Sequence, residues 1–493
     1  MTPLESAMLK ILRSPELFSE QILSRPLRPY QLAPLQAIIQ SVTKRQGLTF
    51  TLMFARQMGK NETSGHLETY LLNRYQQRGG TIIKTAPTYQ PQTVNSKLRL
   101  LTLLNNPLNR FDWRSADGYR ISLGKAHCLF VSGSPMSQVV GLTADMLLEV
   151  DEAQDFDEAH YTKAFRPMAS STNATTVMYG TAWTGDTLLE HQIATNKDLQ
   201  LKDGTQRHFQ YDWQVLADIS PEYRAAVEGE RLRLGEDHPL FRTQYRLQTL
   251  NTQDRFLSPQ HLAQLHGHHS RQSEPTPNKV YVAGIDLAGE SEQEADAALR
   301  SIQPRRDSVV VTIAELDYTT VNNLVQEPIC TVVEHYYWTG RKHRDLYSTL
   351  LDILRTVWGC QRVAVDASGV GAGVASFLQS ALGEHVVEQF VFTTPSKSRL
   401  GYNLLSAVNG GRLKIYTQNA DHDTITECWR QLKAARYDMR AQQTMNFYVD
   451  EKDGHDDFLM SLALCAHAAQ GAVILPAAAS IPGTRPYQNE GRF

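Results

Sequence analysis

Residues 48–65 read LTFTLMFARQMGKNETSG. An apolar, β-prone run (48–54) passes into a short polar turn and then into helix-forming sequence. A buried strand leading to a phosphate-binding turn has this form. The turn exposes backbone N–H groups, a lysine reaches the β- and γ-phosphates, and a helix begins with its positive end toward them. Gly59 and Lys60 occupy the turn. The match to G-x-x-x-x-G-K-[ST] is incomplete: Phe54 stands at the first glycine and Asn61 at the Ser or Thr that contacts Mg²⁺. On this stretch alone, a strand–turn–helix with a surface lysine is the better reading.

A second stretch changes the balance. Residues 145–153 read DMLLEVDEA, an apolar run broken only by Glu149 and closed by two adjacent acids. At the C-terminal end of a strand, Asp151 is placed to hold Mg²⁺ directly or through water, and Glu152 to polarise the attacking water as general base. Arg56, inside the turn, is placed as an arginine finger in cis; a surface ion pair is its plainer role. Thr181, in the Gly180–Ala182 segment that ends the next apolar run, is either a γ-phosphate sensor or part of a simple turn. Upstream, RPYQ (28–31) offers the Tyr30 ring to stack on adenine and the Gln31 amide to pair with its edge, and a plain helix start explains it as well.

Three separated acids form another set: Asp286 in VAGIDLAG, Asp366 in VAVDASGVGAG and the pair Asp456–Asp457 in GHDDFLMSLAL. Two-metal phosphodiester cleavage needs carboxylates from different segments converging on cations about 4 Å apart. Asp286 lies in an apolar strand, where an uncompensated charge is costly. Asp366 repeats the pattern, and Gly369, Gly371 and Gly373 after it allow close backbone approach. The acidic pair opens an amphipathic helix, where the helix dipole favours acids in any case. His455 either joins this site or caps the helix, and Asp307 is either an outer fourth acid or a hairpin-end charge. Lys397 and Arg399 are candidate phosphate contacts, or part of a solvated loop. The histidines 261, 266, 268 and 269 have no partner cysteines and read as a solvated loop rather than a zinc site.

A chain of 493 residues implies two or three domains. With a net charge of −3, any nucleic-acid contact depends on local basic patches. The five scattered cysteines form no C-x-x-C, which argues against a disulfide framework and fits a reducing compartment. MTPLESAMLKILRSPE has no basic start followed by an apolar core, so no secretory signal is read there. The apolar stretch 458–476 contains His467 and Gln470 and reads as a buried helix, not a membrane span. Buried strands are expected at 48–54, 81–85, 128–131, 146–150 and 176–179, alternating with helices as in a parallel α/β sheet. Residues 1–255 are read as one domain, with a helical lid at about 205–255. Residues 256–279 are read as a linker, 280–471 as a second α/β domain and 472–493 as a mobile tail.

Taken in order, ARQMGKNE (55–62), LLEVDEA (147–153), YGTA (179–182), GIDLA (284–288), VAVDASGVG (363–371) and HDDFLMSLAL (455–464) make the chain resemble the large subunit of tailed-phage or prophage terminases, from about residue 25 to 470. The resemblance implies an α/β fold: an additional-strand P-loop NTPase domain with a small helical lid, followed by a ribonuclease H-like nuclease domain. It implies ATP-driven packaging of double-stranded DNA into a procapsid and metal-dependent cutting of concatemeric DNA. It places ATP-phosphate binding at Arg56 and Lys60 beside Gly59 and Asn61, Mg²⁺ at Asp151, the base at Glu152 and ATP coupling at Thr181. Nuclease metal falls on Asp286, Asp366 and either Asp457, which directly precedes the apolar helix, or Asp456. Mg²⁺ is the expected ion, and Mn²⁺ suits the same oxygens. Portal protein, a terminase small subunit and a homo-oligomeric (pentameric) ring are the implied partners, with no membrane, in the infected host's cytoplasm and outside the mature virion. SQVVGLTAD (137–145) has no arginine where some relatives carry a trans-acting one, which leaves Arg56 or an arginine elsewhere. Two rival functions remain: a helicase-like translocase–nuclease of repair or restriction, and a nucleotide-gated assembly factor without turnover.

Overall fold

The computed structural model describes residues 3–137, 139, 141–287, 308–321, 327–339, 343–369, 371–418, 422–440 and 442–471. Ala288, Asp307 and the expected tail 472–493 lie outside the described residues.

The expected buried runs are strands. β1 (Thr49–Phe54), β2 (Gly80–Ala86), β3 (Trp113–Ala116), β4 (Arg120–Leu123), β5 (Ala126–Ser132), β6 (Leu147–Val150), β7 (Thr175–Gly180) and β8 (His208–Tyr211) form one sheet in the order β3-β4-β5-β2-β6-β7-β1-β8. The β5-to-β8 part is parallel throughout, and β3–β4–β5 is an antiparallel extension. β7 lies between the P-loop strand β1 and the acid-bearing strand β6, which is the additional-strand arrangement. Side chains alternate across the sheet as a pleated strand requires. Phe50, Leu52 and Phe54 enter the core on one face, and Met53 enters the core on the other.

The lid is partly sheet. β8, inside the expected helical segment 205–255, hydrogen-bonds to β1 and extends the parallel sheet. The helices Pro221–Leu234 and Pro239–Gln244 follow, with a small core of Val227, Leu234, Phe241 and Tyr245.

The expected linker 256–279 is packed, not free. β9 (Gln253–Arg255) joins β16 (Arg436–Arg440) and β17 (Thr444–Tyr448) in a three-stranded antiparallel sheet. Phe256, Leu257 and Leu265 are buried in the C-terminal core. Their apolar side chains outweigh the polar composition that suggested a linker, at about 1.5–3 kcal/mol per buried large side chain.

The C-terminal domain is built on β10 (Val280–Asp286), β11 (Ser308–Asp317), β12 (Ile329–Thr339), β13 (Arg362–Asp366), β14 (Val387–Phe390) and β15 (Leu413–Ile415), in the order β14-β13-β10-β11-β12-β15. β10–β11–β12 is an antiparallel meander, while β13 and β14 continue parallel to β10. This is the ribonuclease H-like order with β15 added beyond β12. The helix Asp457–Gly471 lies on this sheet, with Phe458, Leu462 and Cys465 fully buried. No described helix is long and apolar enough to cross a membrane. All five cysteines are buried and free.

Candidate active sites

The turn after β1 is shaped by its backbone. Gln57 and Gly59 both take positive φ, 64° and 86°, and Gly59 caps the helix Lys60–Tyr75. Lys60, the first residue of that helix, places its ammonium 3.0 Å from Asp151 Oδ1 and in contact with Glu152 Oε1. The two acids leave β6 on the same edge of the sheet as the turn, because neighbouring parallel strands end together. Burial alone would lower the Lys60 pKa, but Asp151 and Glu152 outweigh it and raise it. Burial would raise that of Asp151, but Lys60 and then Lys84 hold it below the usual carboxylate range. Glu152 sits in the left-handed region, φ 50°, and its Oε2 accepts from the Gln154 amide at 2.7 Å. The arrangement offers oxygen donors to a hard cation and a cation to phosphate, which suits Mg²⁺ and a nucleotide.

Arg56 and Asn61 are exposed at the turn, and the Thr181 N–H donates to Gln154 Oε1 at 3.3 Å. Tyr30 and Gln31 are placed otherwise than expected. Tyr30 is 6% exposed, its ring packs on Phe54 and Tyr211, and its hydroxyl donates to the Met58 carbonyl at 2.7 Å. The Gln31 amide donates to the Met58 and Gly59 carbonyls. Both side chains hold the phosphate-binding turn from below, and the ring faces are used by protein instead of standing open for adenine.

Behind the turn lies a buried charge cluster that the sequence reading missed. Lys84 on β2 sits 3.2 Å from Glu68, contacts Ser64, and has Glu149 of β6 close by; Ser64 and Tyr179 also donate to Glu149. Charged residues inside apolar runs (Lys84 in GTIIKTA, Glu149 in LLEV) were the available signal, since such residues are rarely buried unpaired.

In the second domain, Asp286 ends β10 and Asp366 ends the adjacent, parallel β13. Asp457 opens the C-terminal helix, and these three are 7–8% exposed. Asp456 lies just outside the helix. Burial first, then the charges of Asp457, Asp456 and Asp366, push the Asp286 pKa well above the carboxylate range, with Lys397 opposing. Burial also raises that of Asp366, against the Ser368 N–H that donates to it at 2.8 Å. Mutual repulsion of this kind is what a divalent cation relieves, and carboxylate oxygens are the donors that Mg²⁺ or Mn²⁺ takes. Among the described residues, no group of three or more His, Cys, Asp or Glu side chains is gathered closely enough to hold a metal ion as it stands.

Three of the four linker histidines have partners within the protein. His266 stacks on Trp429 with ring centres 4.2 Å apart, His269 bonds to the Val332 carbonyl, and His261 bonds to the Ser258 N–H. His266 and His268 are exposed, while His261 and His269 are half-buried.

No protein-family profile and no curated protein sequence matches the chain. Solved structures of the large terminase from a thermophilic bacteriophage do match. One superposes with a TM-score of 0.55 at 12% identity, covering 90% of this chain and 98% of that one. The ADP complex of the same terminase gives 0.52 at 12% identity, over 89% and 98%. Its ATP-γ-S complex gives 0.51 at 12% identity, over 90% and 99%. The chain has the fold of a bacteriophage large terminase, a P-loop domain followed by a ribonuclease H-like domain.

Proposed function

We propose that this chain is a viral genome-packaging motor that couples ATP hydrolysis to movement of double-stranded DNA into a procapsid and cuts that DNA at its second site. The observation that carries the reading is the presence on one chain of Lys60 paired with Asp151 and Glu152, and of Asp286 within reach of the charges of Asp366 and Asp457. The likeness of the fold to the thermophilic-phage large terminase supports it.

At the first site, the backbone turn and Lys60 receive the β- and γ-phosphates. Glu152 takes the proton of the attacking water, and Gln154 orients the Glu152 carboxylate. Arg56 faces the charge that develops on the transferred phosphate. Asp151 would hold Mg²⁺, which supplies charge neutralisation to the phosphates. At the second site, Asp286, Asp366 and Asp457, with Asp456 beside them, would hold the divalent ions that activate water and stabilise the leaving oxygen. Lys397 is placed to meet a backbone phosphate. The cut is expected to be nearly sequence-blind. Portal protein, a small subunit and a pentameric ring of copies are the expected partners in the host cytoplasm. ATP binding would tighten the grip on DNA, and hydrolysis would shift the lid and release it.

A helicase reading needs a second motor domain. The antiparallel opening β10–β11–β12 of the second sheet does not suit one. The deciding experiment is plasmid cleavage with Mg²⁺ or Mn²⁺, with ATP turnover followed in the same samples. Asp366→Ala is expected to lose cutting and keep turnover, and Lys60→Ala the reverse. Cleavage that survives Asp366→Ala, or none from wild type with either metal, removes the nuclease half. Binding without turnover leaves the assembly-factor reading.

A further inference from the structure

The hairpin of β16 and β17 reaches from the C-terminal domain to the rim of the nucleotide site. Its turn residue Gln443 has φ 55°, and its carbonyl accepts from Tyr402 Oη at 3.0 Å, which pins the turn to the helix Thr394–Asn409. The Gln443 side chain meets two groups of the N-terminal domain. Its Oε1 accepts from Gln244 Nε2 at 3.2 Å, and its amide lies against the Asp155 carboxyl.

Both contacts lead to the chemistry. Gln244 Oε1 accepts from the Arg56 guanidinium at 2.8 Å, and the Gln244 carbonyl accepts from the Arg56 N–H at 2.8 Å. Tyr223 Oη donates to the Arg56 carbonyl at 2.8 Å. On the other side, Gln154 Nε2 is shared between Glu152 Oε2 and Asp155 Oδ2, at 2.7 and 3.2 Å. One side chain of the second domain thus joins the arginine of the phosphate turn to the acids that follow β6. The turn end of the same hairpin also faces the other site. Arg440, Met445 and Asn446 line a cavity of about 140 Å³ together with Lys397, whose charge reaches Asp286 and Asp366.

We propose that Gln443 is a positioning residue of the ATPase site supplied by the C-terminal domain: it holds Gln244, and through it Arg56, in the orientation that meets the transferred phosphate. The inference rests on the ATPase reading above. An exposed arginine has many rotamers, and fixing one in advance lowers the cost of reaching the transition state. The hairpin thereby makes ATP turnover answer to the state of the nuclease domain.

The test uses the full-length chain. Gln443→Asn keeps an amide and a residue that tolerates left-handed backbone, but its reach is one methylene shorter. The expected result is a fall in kcat for ATP of about ten-fold, with KM changed less than about two-fold. Plasmid cleavage stays at the wild-type level, which reports an intact hairpin. Gln443→Ala is expected to match it. In an Arg56→Ala background, Gln443→Asn is expected to add nothing, because it acts through Arg56. Unchanged kcat, a fully additive loss on Arg56→Ala, or parallel loss of cleavage would each overturn the inference and leave the ATPase reading standing. Wild type without ATP turnover would overturn both.

Discussion

The hydroxyl of Ser461 donates to the carbonyl of Gly284 at 2.9 Å, across a contact so close that a Cβ at position 284 would lie 2.2 Å from both the Ser461 carbonyl oxygen and the Cys465 nitrogen. Strand β10 and the C-terminal helix therefore meet backbone to backbone. Asp457, one helical turn before Ser461, brings its charge next to Asp286, two residues beyond Gly284. Only glycine permits this approach.

Gly284→Ala is accordingly expected to separate strand and helix, destabilise the C-terminal domain by about 1–3 kcal/mol and reduce DNA cleavage at least about ten-fold. ATP turnover is expected to persist. Cleavage at the wild-type rate in a chain of wild-type thermal stability would refute the claim that this contact sets the acid spacing.

Glu152→Gln keeps the shape of the general base and removes its proton affinity. ATP turnover is expected to fall by about 10²–10⁴, while binding of a fluorescent ATP analogue survives. Lys60→Ala is expected to weaken binding as well, because Lys60 bridges Asp151 and Glu152 and faces the phosphates. Equal effects of the two substitutions on binding would contradict these separate roles.

Lys84 is 2% exposed between Glu68 at 1% and Glu149 at 0%. Burial raises the Glu68 pKa well above the carboxylate range, with Lys84 opposing and Glu149 reinforcing the rise. Lys84→Met strands both carboxylates and is expected to cost on the order of 3–5 kcal/mol in urea unfolding. Adding Glu68→Gln is expected to recover part of that loss by removing one charge. If the double variant is no more stable than the single one, the cluster is not held together by charge.

His238 is buried where the lid meets the C-terminal domain. Its Nε2–H donates to the Tyr402 carbonyl at 3.0 Å, and its Nδ1 accepts from the Leu240 N–H at 3.2 Å. The second bond needs the neutral ring, because a protonated Nδ1 cannot accept; the first survives protonation. Burial lowers its pKa to about 4, so between pH 6.5 and about 4 the unfolded chain binds a proton that the folded chain does not. Stability from this residue is therefore complete above pH 6.5 and drains away as pH falls toward 4, by up to about 3 kcal/mol. His238→Asn keeps a helix-capping side chain, and its melting temperature is expected to fall less than that of wild type between pH 7.5 and 5. A wild-type melting curve that is flat over that interval would show the assignment to be mistaken.

The strands β1, β2, β5, β6, β7, β10 and β13 were legible because each is a short apolar run, and Asp151, Glu152, Asp286 and Asp366 were legible because they end such runs. The antiparallel extension β3–β4, the lid strand β8 and the packed segment 256–279 were not. Their residues are polar or mixed, and pairing is what makes β3, β4 and β8 strands, β3 with β4 across a turn and β8 with the distant β1. The roles of Tyr30 and Gln31 stay open in the sequence because an aromatic next to an amide suits a nucleotide and a carbonyl-rich turn equally well.

The order of elements and the chemistry placed at their ends follow from the amino-acid order alone, since hydrophobic period and strand-terminal acids are local properties of the chain. Which groups share a site depends on packing in three dimensions. The Lys84 cluster, the His238 cap and the reach of Gln443 to Gln244 join residues 65, 164 and 199 positions apart. Such contacts depend on how two sheets and a lid pack, and no periodicity along the chain records that packing.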